Sequence, residues 1–271
     1  MRSRPSAILA SIEKVNRYRG GAYHGRGKDK RTDGQTELVF LMDVSEPMAD
    51  FASDIIAGFN GMIARLREER TDILVTTWQF ADFCLYVDER VPITADSVRM
   101  EQDFFERLRI MREQVARQAA PAPITLEDGK PGRRVLINAI GGVVCRARYV
   151  YKHYPENPAR TMFVIITGGT DNASLYYWTP DRLRDLVERQ EKEAGWTFIL
   201  LGANIDAAQV AGDIGIPVEN AATFACDAAG VRENFASLGA MILEFSSTGV
   251  VLPTWSQKIS EHLAKTQSER S

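Results

Sequence analysis

The chain is poor in the residues that build the commoner chemical centres. Its three cysteines, Cys84, Cys145 and Cys226, and three histidines, His24, His153 and His262, are scattered over 271 residues. No zinc-type spacing or disulfide framework can be drawn from them, and an odd thiol count in apolar surroundings fits reduced core cysteines. No apolar run approaches the roughly 20 residues of a membrane span, and residues 1–20 lack the apolar stretch of a secretion signal. A cytoplasmic protein with no membrane partner is expected. Gly168-Gly169 is the nearest thing to a phosphate loop, but neither Gly-x-Gly-x-x-Gly nor Gly-Lys-Ser/Thr occurs, which argues against a nucleotide. A net charge of −3 and a pI near 5.8 give no global attraction to nucleic acid or anionic lipid. Internal repeats are also lacking.

What is present is core-forming material. With 45% hydrophobic residues, the chain can bury the interior of one large domain. Residues 1–35 read as a basic arm, carrying Arg2, Arg4, Lys14, Arg17, Arg19, Arg26, Lys28, Lys30 and Arg31 against Glu13, Asp29 and Asp33. Such an arm is either a solvated tail or a contact for nucleic acid or an acidic protein. Leu38 to Met42 is a continuous apolar run ending on Asp43, as a strand buried on both faces reads. Phe51, Ile55, Phe59, Met62, Ile63 and Leu66 then recur at helical spacing. Ile73–Phe80 and Phe83–Val87 predict a hairpin whose second strand is an antiparallel sheet edge. A charged helix over Ser97–Gln118 and a loop from Ala119 to Gly132 follow. Beyond these, helices near 135–151, 180–193, 206–213 and 231–245 alternate with strands near 162–166, 196–201 and 223–226.

This alternation predicts an α/β fold of Rossmann-like, doubly wound type: a mostly parallel sheet with one antiparallel edge strand and helices on both faces. The domain spans 36–246, with 247–271 as a C-terminal tail. Ligands of such sheets gather beyond the strands' carboxyl ends, after Met42, Phe80, Ile166 and Leu201.

One of those turns carries Asp43-Val44-Ser45-Glu46-Pro47. It resembles the opening of the metal-ion-dependent adhesion site of von Willebrand factor type A domains, Asp-x-Ser-x-Ser. Ile56–Asn60, Thr76–Phe80, Leu136–Gly141, Val164–Gly169 and Leu200–Asp206 resemble, in order and spacing, landmarks of the bacterial intracellular members of that family. The resemblance implies a site in which hydroxyls and carboxylates from several turns hold Mg²⁺. Here Pro47 stands for the second serine, Arg134 (or Arg133 one position earlier) for the threonine, and Gly168 for the second aspartate. Asp43 and Ser45 remain as residual metal candidates, so no cofactor is expected and Mg²⁺ binding should be lost or very weak.

Two roles are open for Arg134: a guanidinium in the cation's place, forming a forked pair with Asp43, or a loop end pointing to solvent. Asp171 either swings back to replace the missing carboxylate or serves a turn or helix cap. Tyr176, Tyr177 and Trp178 form either an aromatic contact surface or packing beneath the next helix. No histidine or second carboxylate is placed to activate Ser45, so catalysis is not expected. The resemblance implies a protein-interaction module acting in an intracellular bacterial or phage complex. The alternatives are residual Mg²⁺-dependent partner binding, or a non-catalytic subunit of an enzyme or nucleic-acid-associated complex.

Overall fold

A computed structural model describes residues 30–107, 110, 134–154, 156–174, 177–203 and 205–269. Its centre is a six-stranded sheet in the order β3-β2-β1-β4-β5-β6. The strands are β1 (Lys30–Asp43), β2 (Ile73–Phe80), β3 (Cys84–Pro92), β4 (Glu156–Thr167), β5 (Thr197–Ala203) and β6 (Ala221–Phe224). All neighbours pair in parallel except β2 and β3, which form the antiparallel hairpin at one edge. The α/β, doubly wound reading therefore holds.

The helices are α1 (Glu46–Ala49), α2 (Ala52–Glu69), α3 (Leu136–His153), α4 (Pro180–Ala194), α5 (Ala207–Asp213), α6 (Ala228–Thr248) and α7 (Gln257–Glu269). Strand β1 shows why two helical layers are needed. Leu38, Phe40 and Met42 point into a core shared with α2, α6 and α7. Val39 and Leu41 point into the other, shared with α3, α4 and α5. All five are at most 2% exposed. Each such side chain contributes about 1.5–3 kcal/mol by leaving water, which no single-sided sheet could provide to both sets. Helix ends obey local chemistry. Thr179 accepts from the Arg182 N–H at 3.3 Å ahead of Pro180, and Gly195, at φ 67°, closes α4 in the left-handed conformation.

Several boundaries differ from the sequence reading. Lys30–Thr32 already pair with Glu156–Pro158, and after an irregularity the ladder resumes at Thr36. Six residues assigned to the arm thus lie in β1, because β4 also begins early and offers partners for polar backbone. The stretch assigned to a tail carries α7. Trp255 and Ile259 there are buried, the Trp255 Nε1–H donates to the Glu219 carbonyl at 3.0 Å, and His262 lies 3.2 Å from Asp227. Within the charged segment, 97–105 form turns that bury Val98, Met100, Phe104 and Phe105, not helix. Residues 1–29, the loop 119–132, Arg133 and Tyr176 lie outside the described residues. Cys145 is exposed and Cys84 and Cys226 half-buried, so the expectation of three core thiols needs correcting. Among the described residues no helix is long and apolar enough to cross a membrane.

Candidate functional site

Winding reverses between β1 and β4: from β1 the chain crosses to β2 on one side, from β4 to β5 on the other. A crevice opens where such a reversal occurs. Asp43 ends β1 there and Thr167 ends β4 beside it. The Asp43 carboxylate is only 1% exposed, and both of its oxygens are occupied. Oδ1 accepts from the Ser45 N–H at 2.8 Å, while Oδ2 accepts from the Gly168 N–H at 2.8 Å and the Thr167 hydroxyl at 3.1 Å. Asp43 therefore ties the β1 turn to the β4 turn.

Arg134, half-buried ahead of α3, reaches this place but does not form the forked pair with Asp43. Its Nη1 donates to Ser45 Oγ at 3.3 Å and its Nε to the Thr170 carbonyl at 3.3 Å. The guanidinium lies on Gly169, where a Cβ would stand 2.2 Å from Nη2 and 2.4 Å from Cζ. The side chain is not a counter-ion for Asp43, and although half-exposed it is held against the loop by these bonds instead of pointing freely to solvent. With Asp43 already satisfied by three donors, the guanidinium gains more from a hydroxyl and a carbonyl than from competing for the same oxygens.

Met48 has no counterpart in the sequence reading. Its side chain covers Gly168, where a Cβ would stand 2.6 Å from Sδ, and it is 1% exposed. Met48 turns a ligand-bearing loop into a plug, while Pro47 beside it is exposed and offers no side-chain oxygen. The residues do not fit a divalent ion. Such an ion needs about six oxygens, whereas Asp43 is engaged by N–H and O–H donors, Ser45 Oγ by a cation, and Gly168 offers no side chain. Restoring two of the three lost ligands by Arg134→Thr with Gly168→Asp is therefore insufficient. Gain of Mn²⁺ affinity, read by calorimetry, is expected only when Met48→Ala is added; saturation by the double variant alone would refute the plug.

Asp171 does not replace the missing carboxylate. Its Oδ1 accepts from the Ile137 N–H at 3.1 Å and the Ser174 hydroxyl at 2.5 Å, while the Asn138 N–H donates to Ser174 Oγ at 3.0 Å. The β4–α4 loop thus caps α3, a helix with no capping side chain of its own. The Arg134 backbone joins in: its N–H donates to Asn172 Oδ1 at 2.7 Å and its carbonyl accepts from the N–H of Ala173 at 3.0 Å. The aromatic pair divides its roles. Trp178 packs on α3 at Gly141, where a Cβ would stand 2.4 Å from the indole, whereas Tyr177 is 71% exposed and edge-on to it at 5.3 Å.

A second polar cluster lies deeper on the α3 side. Glu37, 3% exposed, accepts from Thr76 at 2.8 Å and from the Tyr151 hydroxyl at 2.9 Å, and pairs with Arg90 at 3.2 Å. Arg90 is held at φ 53°, with its N–H donating to Thr76. Burial pushes the Glu37 carboxyl above its ordinary value, opposed by the Arg90 charge. Burial likewise raises Tyr151, seconded by the Glu37 charge.

No family model and no curated protein matches the sequence. Solved structures do match in shape. Two structures of the pilus adhesin SpaC from Lactobacillus rhamnosus GG align with TM-scores of 0.50 and 0.51 at 10% identity, over 80% of this chain and 31–32% of theirs. This likeness is one of fold alone, a mostly parallel sheet covered by helices on both faces. Proximal thread matrix protein 1 from the mussel byssus, in a structure described as having a zinc-occupied MIDAS motif, aligns at a TM-score of 0.48 and 13% identity, over 78% of this chain and 46% of its own. The chain thus spans less than half the length of each of these neighbours.

Proposed function

We propose that this von Willebrand factor type A-like domain is a protein-interaction module that docks its partner without a bound cation, within an intracellular bacterial complex, and that it is not an enzyme. The observation that carries this is the filled crevice: Arg134 on Gly169 and Met48 on Gly168 occupy the space in which a cation's ligands would have to converge. What remains at the carboxyl end of the sheet is a rim with exposed Glu46 and Pro47 next to Ser45 and the half-buried Arg134 guanidinium, and exposed Tyr177 ahead of α4. A preorganised aromatic and arginine rim suits protein recognition, since both residue types anchor interfaces at low ordering cost. Ser45 supports the non-enzymatic reading. Its Oγ is bonded to a cation that cannot take up a proton. The exposed Cys145 thiol suits a reducing compartment.

The test is a pair of measurements on the whole chain. Calorimetric titration with Mg²⁺ and with Mn²⁺ should show no saturation at millimolar concentrations. Affinity capture from an extract of the source cell should retain the same partner with chelator as with Mg²⁺, and lose it on Tyr177→Ala or Arg134→Ala. Saturable cation binding, or capture abolished by chelator, would replace this reading with a metal-dependent one.

A further inference from the structure

The outer face of helix α3 carries a surface that the rim does not explain. The helix starts beside the crevice and ends at the amino end of β4, with Val143, Ala147 and Val150 buried against the sheet. Its 18 residues contain no aspartate or glutamate, yet hold Arg146, Arg148, Lys152 and His153. Arg146 is neutralised by a two-pronged pair with Glu89 at 2.8 Å. Arg148 and Lys152 are exposed and make no ion pair among the described residues. Standing one turn apart, they form a row along the helix, and Tyr149 and His153 form the row beside it. Tyr149 is 54% exposed, lies 4.3 Å from the His153 ring and receives the Arg146 guanidinium over its own ring at 5.7 Å. Tyr154, 45% exposed, follows at the helix end.

Lys152 and His153, in the last turn, answer the helix dipole. That leaves Arg148 and the two exposed rings without a task in the fold. The same turn is fixed from beneath: the Tyr151 hydroxyl is fastened to Glu37 and Thr161 at 2.9 and 2.7 Å, and its ring lies edge-on to Trp196 at 5.2 Å. A surface ordered in advance loses little freedom when something docks on it.

We propose that this face docks an acidic amphipathic helix of a partner protein, with carboxylates on Arg148 and Lys152 and apolar side chains on Tyr149 and Tyr154. An acid-free row of unpaired cations calls for an anion, and carboxylates one turn apart on another helix match the spacing of Arg148 and Lys152. The rings narrow the choice, because tyrosine beside arginine is what protein interfaces bury at their centres. A phosphate backbone fits less well: two such cations on this face, in a chain of net charge −3, make too few contacts to hold one. An anionic membrane calls for aliphatic anchors, which no exposed position of α3 supplies. The surface lies at the far end of the sheet from Asp43, so this inference is independent of the reading of the rim.

The experiment is fluorescence anisotropy of the full chain with a labelled helical peptide of glutamate, alanine and leucine that carries glutamates one turn apart along one face. Its lysine analogue, a labelled oligothymidylate and phosphatidylserine vesicles are the comparators. Saturable binding of the glutamate peptide at low salt is expected, weakening as salt is added, with the lysine analogue bound far less. Tyr149→Ala should lower affinity about tenfold, and Arg148→Glu with Lys152→Glu should turn the preference to the lysine analogue. All three positions are exposed, and unchanged melting will show that the variants fold. No saturable binding of the glutamate peptide at low salt overturns the proposal. So does tighter binding of the oligonucleotide or the vesicles, equal binding of the lysine analogue, or an affinity that the helix variants leave unchanged.

Discussion

Asp43→Ala is expected to lower the melting temperature by about 8–16 °C, with or without Mg²⁺. The side chain is 1% exposed and accepts from three donors, the N–H groups of Ser45 and Gly168 and the hydroxyl of Thr167. Deleting it leaves the two N–H groups facing a dry cavity, while the Thr167 hydroxyl keeps the Gly169 carbonyl at 2.7 Å as its acceptor, and bonds to a charged acceptor are the expensive ones to lose. The sum is about 4 kcal/mol, and a domain of this size shifts by about 2–4 °C per kcal/mol. Asp43→Asn keeps one acceptor oxygen but turns an amide N–H toward another donor, so it should fall between the two. A melting curve for Asp43→Ala that overlays wild type would show that the carboxylate does not join β1 to β4. The Mg²⁺ comparison separates this structural role from a ligand's role, which would make the loss depend on cation.

Arg90→Ala should cost about 3–5 kcal/mol at neutral pH, because it strands a buried carboxylate whose one ion-pair partner among the described residues is Arg90 at 3.2 Å. The loss has a pH signature. Burial already raises Glu37 above its ordinary 4.5, and the Arg90 charge holds that rise down. Removing the charge raises the folded-state value further. Between the unfolded and folded values the native state binds more protons than the unfolded chain, so stability declines as pH climbs through that interval and is recovered at its acid end. Urea unfolding at pH 5 and pH 7 should therefore show a steeper decline for Arg90→Ala than for wild type. Parallel profiles would mean that Glu37 does not respond to Arg90. Tyr151→Phe, which removes one donor and no charge, should cost less and steepen the decline less than Arg90→Ala, because the Tyr151 hydrogen bond also lowers Glu37 but ranks behind the Arg90 charge.

The two-layer sheet was legible because its signals are dense. Leu38 to Met42 could only be a strand covered on both faces, and Ile55, Phe59, Met62 and Leu66 could only be one stripe of a helix. Legibility failed where structure depends on something distant. Lys30–Thr32 are polar and look unstructured until β4 is seen to begin at Glu156 and pair with them. Helix α7 has one buried apolar position in its own 13 residues, Ile259, too sparse a pattern to stand out from a solvated tail. At the crevice the sequence reports which ligands are gone but not what takes their room. Pro47, Arg134 and Gly168 were visible as losses, whereas Met48 belongs to no motif and its role rests on the glycine opposite it. The pair expected between Arg134 and Asp43 failed for a countable reason: backbone donors, which no side-chain pattern displays, had already claimed the carboxylate. Asp171 could be read as a cap, but not as one serving a helix 34 residues earlier in the chain.

Helix α7 has a practical corollary. It packs on β6, the four-residue strand at the sheet's outer margin, and on α6, whose first turn Asp227 caps while also holding His262. The last residues therefore act as a hem stitched over the selvedge of the sheet. A reporter fused after Glu269 leaves the hem closed, whereas one spliced in at residue 256 would unpick it and bare the side of β6 to whatever chain came near.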